Sequence, residues 1–167
     1  PINRGRIWRI VPEDWKPTKA KKLSALSSEE LIGLLSHPDG WFRDMAQRLL
    51  VERNDKTIEQ SITNVALKGD HPLGRFHALW TMEGLKILHA DLLLQLLSDQ
   101  NHDIRRTALR LLEPLALEDK KIRTALENVI ATLWEDATDK EILQLCLSAR
   151  VLDKKTSLPL LAGIVAA

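Results

Sequence analysis

The 167-residue sequence predicts an all-α protein, an α-α superhelix of stacked helix pairs preceded by a short N-terminal extended arm. Three observations predict it. An Arg, an Ala three residues later and a long apolar residue four beyond that recur as Arg43–Ala46–Leu50, Arg75–Ala78–Met82 and Arg105–Ala108–Leu112. The columns lie about 30–32 residues apart, the length of one helix–turn–helix unit. Between them, apolar residues return at three- and four-residue steps, and the breaks are short and rich in Pro, Gly, Asp and Asn. Composition agrees: 44% of residues are hydrophobic, Tyr is absent and aromatics make up 4%, so Leu, Ile and Ala must build the core.

In chain order, residues 2–11 alternate with period two after Gly5, placing Arg6, Trp8 and Ile10 on one side, and read as a strand or extended arm. Pro12 and Pro17 bracket a non-helical link. Trp8 and Trp15 are costly to leave in water, so the arm is expected to pack on this chain or on an upstream domain. Residues 1–22 are therefore read as arm and linker, the end of an upstream domain. Residues 23–167 are read as a repeat domain of about four to five helix pairs.

The first outer helix starts at Ser27 or Ser28, with Glu29 and Glu30 in its first turn, and stops before Pro38. Residues 39–52 form its inner partner, with Phe42, Met45, Ala46, Leu49 and Leu50 on one face and Arg48 within ion-pair reach of Asp44 and Glu52. An outer helix follows over 56–68, closed by Gly69 and Asp70, and Pro72 opens the inner helix to about residue 85. Asp91 is expected to cap a helix over 92–97. Residues 103–116 turn inward again, 120–134 form a longer outer helix, and 139–151 with a trailing piece over 158–164 complete the array. The small column Ala46, Ala78 and Ala108 predicts close helix approach and burial.

Twenty-four basic residues face 23 acidic ones, a net charge of +1. No global field gathers nucleic acid or an anionic membrane surface. Cys146 is the only cysteine, which excludes an internal disulfide, and no CxxC or CxxCH motif occurs. The apolar run 158–167 is about half the roughly 20 residues needed to span a bilayer, so no membrane insertion of this segment is expected. The chain opens on Pro1 and closes on apolar residues, which reads as a segment of a longer protein.

Asp99, six residues before Arg105 and followed by Ile104 and Ala108, resembles the HEAT-repeat pattern of a turn Asp and an early inner-helix Arg, which in that family form a ladder between units. GRIWRI (5–10), LIGLLSHPDGWFRDMAQRLLVER (31–53) and RFHALWTMEGL (75–85) together resemble the HEAT-like, phycobilin-lyase-type repeat segment of large bacterial membrane-bound dehydrogenases. The resemblance covers about the first two-thirds of the chain. It implies an upstream β-propeller domain, a downstream cytochrome c domain, and a periplasmic or cell-envelope location. No propeller, quinoprotein site or haem motif lies in these residues, so no redox chemistry carries over.

The chemistry-bearing candidates lie on the inner helices. Arg75, His77, Trp80 and Glu83 share one helix, and with Arg43 and Arg48 before it and Arg106 after it they form a polar-aromatic patch suited to a protein or domain partner. The same residues could instead serve repeat packing, with His77 and Trp80 between units and Arg75 and Glu83 in ion pairs. His37, His71 and His102 recur at the turn before each inner helix, and ligands one repeat apart do not make a zinc site. Cys146 reads as a buried thiol, and Trp41 and Trp134 as packing residues. No catalytic constellation, metal or cofactor is expected. The reading is a non-catalytic scaffold and interaction module. The alternative is a DNA glycosylase built on HEAT-like repeats, suggested by Trp80 and Glu83 on one helix, against which the balanced charge speaks.

Overall fold

The computed structural model describes residues 8, 10–16, 22–134 and 137–166. Every regular element among them is helical: α1 (Ser28–Leu34), α2 (Gly40–Arg53), α3 (Glu59–Lys68), α4 (Pro72–Gly84), α5 (Ala90–Leu96), α6 (His102–Glu118), α7 (Lys120–Leu133), α8 (Asp139–Ser148) and α9 (Lys154–Ala166). Short 3-10 turns lie at Leu23–Ala25, Lys56–Ile58 and Ala149–Val151.

Local chemistry sets the boundaries. Ser27 and Glu30 form a reciprocal capping box at α1, and Thr138 with Glu141 repeats it at α8. Asp39, Asn101 and Asp119 each cap the helix that follows by accepting from its first backbone N–H groups. His71 does the same through its ring nitrogen, with Pro72 behind it at the first helical position. Asn54 ends α2 in the left-handed conformation, φ 51°. The sequence expectation differs at three ends. Asp91 is not the cap of α5; it sits in the first turn, and His89 holds the cap position without a side-chain hydrogen bond. α6 continues past residue 116 through Pro114, and α9 runs from Lys154 to Ala166 rather than over 158–164.

α2 packs on α4, α4 on α6 and α6 on α8, while α1 meets α3, α5 meets α7 and α7 meets α9. Ala46, Ala78 and Ala108 are fully buried, as their shared column predicts, with Leu50, Met82 and Leu112 beneath them. Close approach is built in at Gly74, where a Cβ would lie 2.0 Å from Ser36 Oγ and 3.2 Å from Ser36 Cα. Trp134 joins the core, its ring 3.4 Å from where a Cβ on Gly163 of α9 would stand.

Two packing expectations fail. Trp41 is 56% exposed and touches Phe42 edge-on instead of covering the turn. Cys146 is half-buried rather than enclosed. Most of the arm expected over residues 2–11 lies outside the described residues. Of its described part, Trp8 and Ile10 are exposed, and residues 10–12 carry no strand.

Candidate functional site

The structure separates the predicted patch on α2, α4 and α6 into two kinds of residue. Arg75 turns away from the surface: its Nε donates to the Ala66 carbonyl at 2.8 Å and its guanidinium grips both carboxylate oxygens of Asp99. Both side chains are largely buried, at 11% and 15% exposure. Burial opposes the Asp99 charge, but hydrogen bonds from Arg75 and the Asn101 N–H, with the charges of Arg75 and Arg105, hold its carboxyl below the usual range. Arg43 bends back onto its own turn, donating through Nη1 to the His37 and Pro38 carbonyls at 2.6 and 2.9 Å. Its Nε is buried without a partner. Arg105 follows both habits, donating to the Asp99 carbonyl at 3.0 Å and to Glu141 Oε1 at 2.7 Å.

His77 is buried between α2 and α4, its Nδ1 2.7 Å from Gln47 Oε1. An amide oxygen only accepts, so Nδ1 carries the proton. Burial holds the ring below its ordinary pKa; Asp44 works against this and Arg43 adds to it. Arg106 pairs with Asp103 on its own helix at 2.9 Å. Arg43, Arg75 and His77 therefore spend their polar groups on neighbouring loops and helices, and Arg106 pairs with Asp103 at the surface of α6.

Arg48, Trp80 and Glu83 are brought together. They border a depression of about 420 Å³ between α2 and α4, and Trp80 and Glu83 also wall a second of about 430 Å³ that reaches α6 and α8. The Trp80 Nε1 is buried without a hydrogen bond, so the indole shows the groove carbon surface. Arg110 stands over that ring with its guanidinium carbon 5.8 Å from the centroid, a cation–π contact that leaves the cation's donors facing solvent. Pro114, in the same wall, cannot donate to the Arg110 carbonyl four residues earlier, which leaves an acceptor beside the groove. Arg48 is tied to Glu52 at 2.6 Å on the surface.

The sequence reading missed Arg110, Glu113, Gln144, Ser148 and Arg150. Glu113 is 7% exposed; its Oε1 accepts from Gln144 Nε2 at 2.7 Å and Ser148 Oγ at 2.8 Å, and its Oε2 from Arg150 Nη2 at 2.7 Å. The repeat register held the signal, since Arg110 shares the column of Arg48 and Trp80, and Glu113 that of Glu83.

Among the described residues, no group of three or more His, Cys, Asp or Glu side chains is placed to hold a metal ion. No described helix is long and apolar enough to cross a membrane. No family model, curated protein or solved structure matches the chain.

Proposed function

We propose that the chain is a non-catalytic scaffold: a HEAT-type solenoid whose inner layer, α2, α4, α6 and α8, presents the groove at Trp80 to a protein or domain partner. The observation that carries the reading is the pair of neighbouring depressions that share Trp80 and Glu83, with Arg110 over the indole. An aromatic anchor rimmed by charges of both signs suits a polypeptide, which offers apolar side chains and both charges together. The packing of each inner helix on the next supports the solenoid, because such contacts extend one surface unit by unit. The family resemblance adds candidate partners, an upstream β-propeller and a downstream cytochrome c domain.

The glycosylase alternative has Trp80 and Glu83 in one wall, but a phosphate backbone needs uncompensated cations. Of the groove-lining arginines, Arg48 and Arg150 are ion-paired, which leaves Arg110 as the one groove cation without an acidic partner among the described residues, too few for a phosphate backbone. The test is affinity capture from source-cell extract on the immobilised chain, its Arg110→Glu and Glu83→Lys variants, and Arg75→Ala as a stability control. The reading expects at least one captured protein to fall about tenfold with either groove variant, while melting temperature stays unchanged. Capture that is indifferent to both variants contradicts it. So does tight, steeply salt-dependent binding of duplex DNA, which supports the enzyme instead.

A further inference from the structure

We infer that the two depressions sharing Trp80 take a polypeptide segment of one charge order: a basic residue on the α2 side, an apolar residue over the indole and an acidic residue on the α6 side. This rests on the scaffold reading above and adds to it the chemistry of the partner. The first depression is bordered by the acids Asp44, Glu52 and Glu83 and by one cation, Arg48. Glu52 takes Arg48, so those two charges cancel. Asp44 is 68% exposed and has only the His77 ring near it, at 4.0 Å. Burial holds that ring below its ordinary pKa, so it offers Asp44 little charge at neutral pH. Glu83 is exposed, makes no ion pair among the described residues and borders both depressions. Past it the sign changes. Glu113 is buried and held by Gln144, Ser148 and Arg150, whereas Arg110 is exposed and stands over Trp80 without an acidic partner among the described residues. Arg150 adds a side chain that is 67% exposed although one nitrogen reaches Glu113.

Opposite charges on the two sides of one aromatic ring select the occupant. A uniformly acidic segment meets Asp44 and Glu83, a uniformly basic one meets Arg110 and Arg150, and like charges facing each other across an interface are unfavourable. A segment carrying both signs answers each side. Its apolar side chain covers the indole, whose buried Nε1 makes no hydrogen bond. Packed helices lie about 8–10 Å apart, so Asp44 on α2 and Arg110 on α6 are separated by roughly 16–20 Å. An extended chain rises about 3.3 Å per residue and crosses that span in about five or six residues. Near the end of the path, Pro114 inside α6 leaves the Arg110 carbonyl without its helical donor, free to accept a backbone N–H from the segment.

Panning a random dodecapeptide phage library on the immobilised chain tests it, with Arg110→Glu and Asp44→Lys as further baits and circular dichroism melts to confirm that each variant is folded. Peptides enriched on the wild type are expected to carry a Lys or Arg and an Asp or Glu about five or six residues apart, with a Leu, Phe or Trp between them. On Arg110→Glu the acidic position turns basic while the other end is kept, and on Asp44→Lys the basic position turns acidic. A synthetic copy of the leading wild-type peptide should bind Arg110→Glu about tenfold more weakly, and exchanging its acid for Lys should recover that loss. Enriched peptides that depend on Arg110 but show no charge order overturn the inference and leave the scaffold reading standing. A charge order unchanged on both variants also overturns it, because the peptides then sit elsewhere. So does a library from which nothing enriches, and capture from extract then decides the scaffold reading by itself.

Discussion

The contact between α2 and α4 and the contact between α4 and α6 fall at matching positions of the Arg–Ala–apolar sequence pattern, yet they are made differently. Arg75 finds Asp99, six residues before the next Arg, and both carboxylate oxygens are used. For Arg43 the corresponding sequence position is Gly69, which has no side chain to accept, and the Arg43 Nε stays unpaired. An Asp does not fit there without rearrangement, because a Cβ on Gly69 would stand 2.7 Å from the Val65 carbonyl oxygen and 3.2 Å from Arg75 Cγ. The first join relies instead on close approach, with Gly74 over Ser36 and Gly84 against Val51, and on the neutral His77–Gln47 hydrogen bond. The same column residue thus serves as an interhelical ion pair in one unit and a loop brace in the other. A repeat motif defines a position, and its partner defines the energy.

The comparison can be broken at each join. Arg75→Ala leaves Asp99 charged, mostly buried and without its main partner, and is expected to cost about 3 kcal/mol in urea unfolding. Gly74→Ala drives a methyl into Ser36, side chain and backbone, and should cost about 2 kcal/mol by the same measurement. Arg43→Ala removes only carbonyl hydrogen bonds in a turn and should cost about 1 kcal/mol. Equal losses for Arg43→Ala and Arg75→Ala would erase the distinction between the joins.

Acid should separate them as well. His77 binds its proton more weakly folded than unfolded, so the first join contributes stability above about pH 6.5 that is lost as pH falls below it. Asp99 and Glu141 have depressed folded pKa values, so the later joins hold until pH falls below about 4. For Glu141 burial again opposes the charge and is outweighed, here by hydrogen bonds from the Thr138 backbone, Arg105, the Thr138 hydroxyl and His102. His77→Gln should flatten the stability profile between pH 5 and 7 and leave the steeper acid limb unchanged, as read by thermal melts across pH.

The helices were legible in the sequence because most of their signals are local, with Ser27 and Glu30, Asp39 and Pro72 each acting within a turn or two, and because the Ala46–Ala78–Ala108 column repeats at a fixed period. The site was only half legible. Register placed Arg43, Arg75 and His77 on inner helices, but whether an Arg points into the groove or under the next helix depends on an acceptor about 24 residues away, as with Asp99 for Arg75. Trp41 and Cys146 misled for a related reason. An aromatic or a thiol carries no mark of whether a neighbour arrives to cover it, and here none of the described helices does so fully.

The central claim is that α2, α4, α6 and α8 are locked to one another by specific side-chain joins, with Arg75–Asp99 the strongest. A double-mutant cycle of Arg75→Ala and Asp99→Ala in urea unfolding tests it most directly. The account predicts a coupling of about 2 kcal/mol, the double variant losing far less than the sum of the singles. Additive losses, with coupling near zero, would show that the pair is a bystander and that packing alone holds the array together.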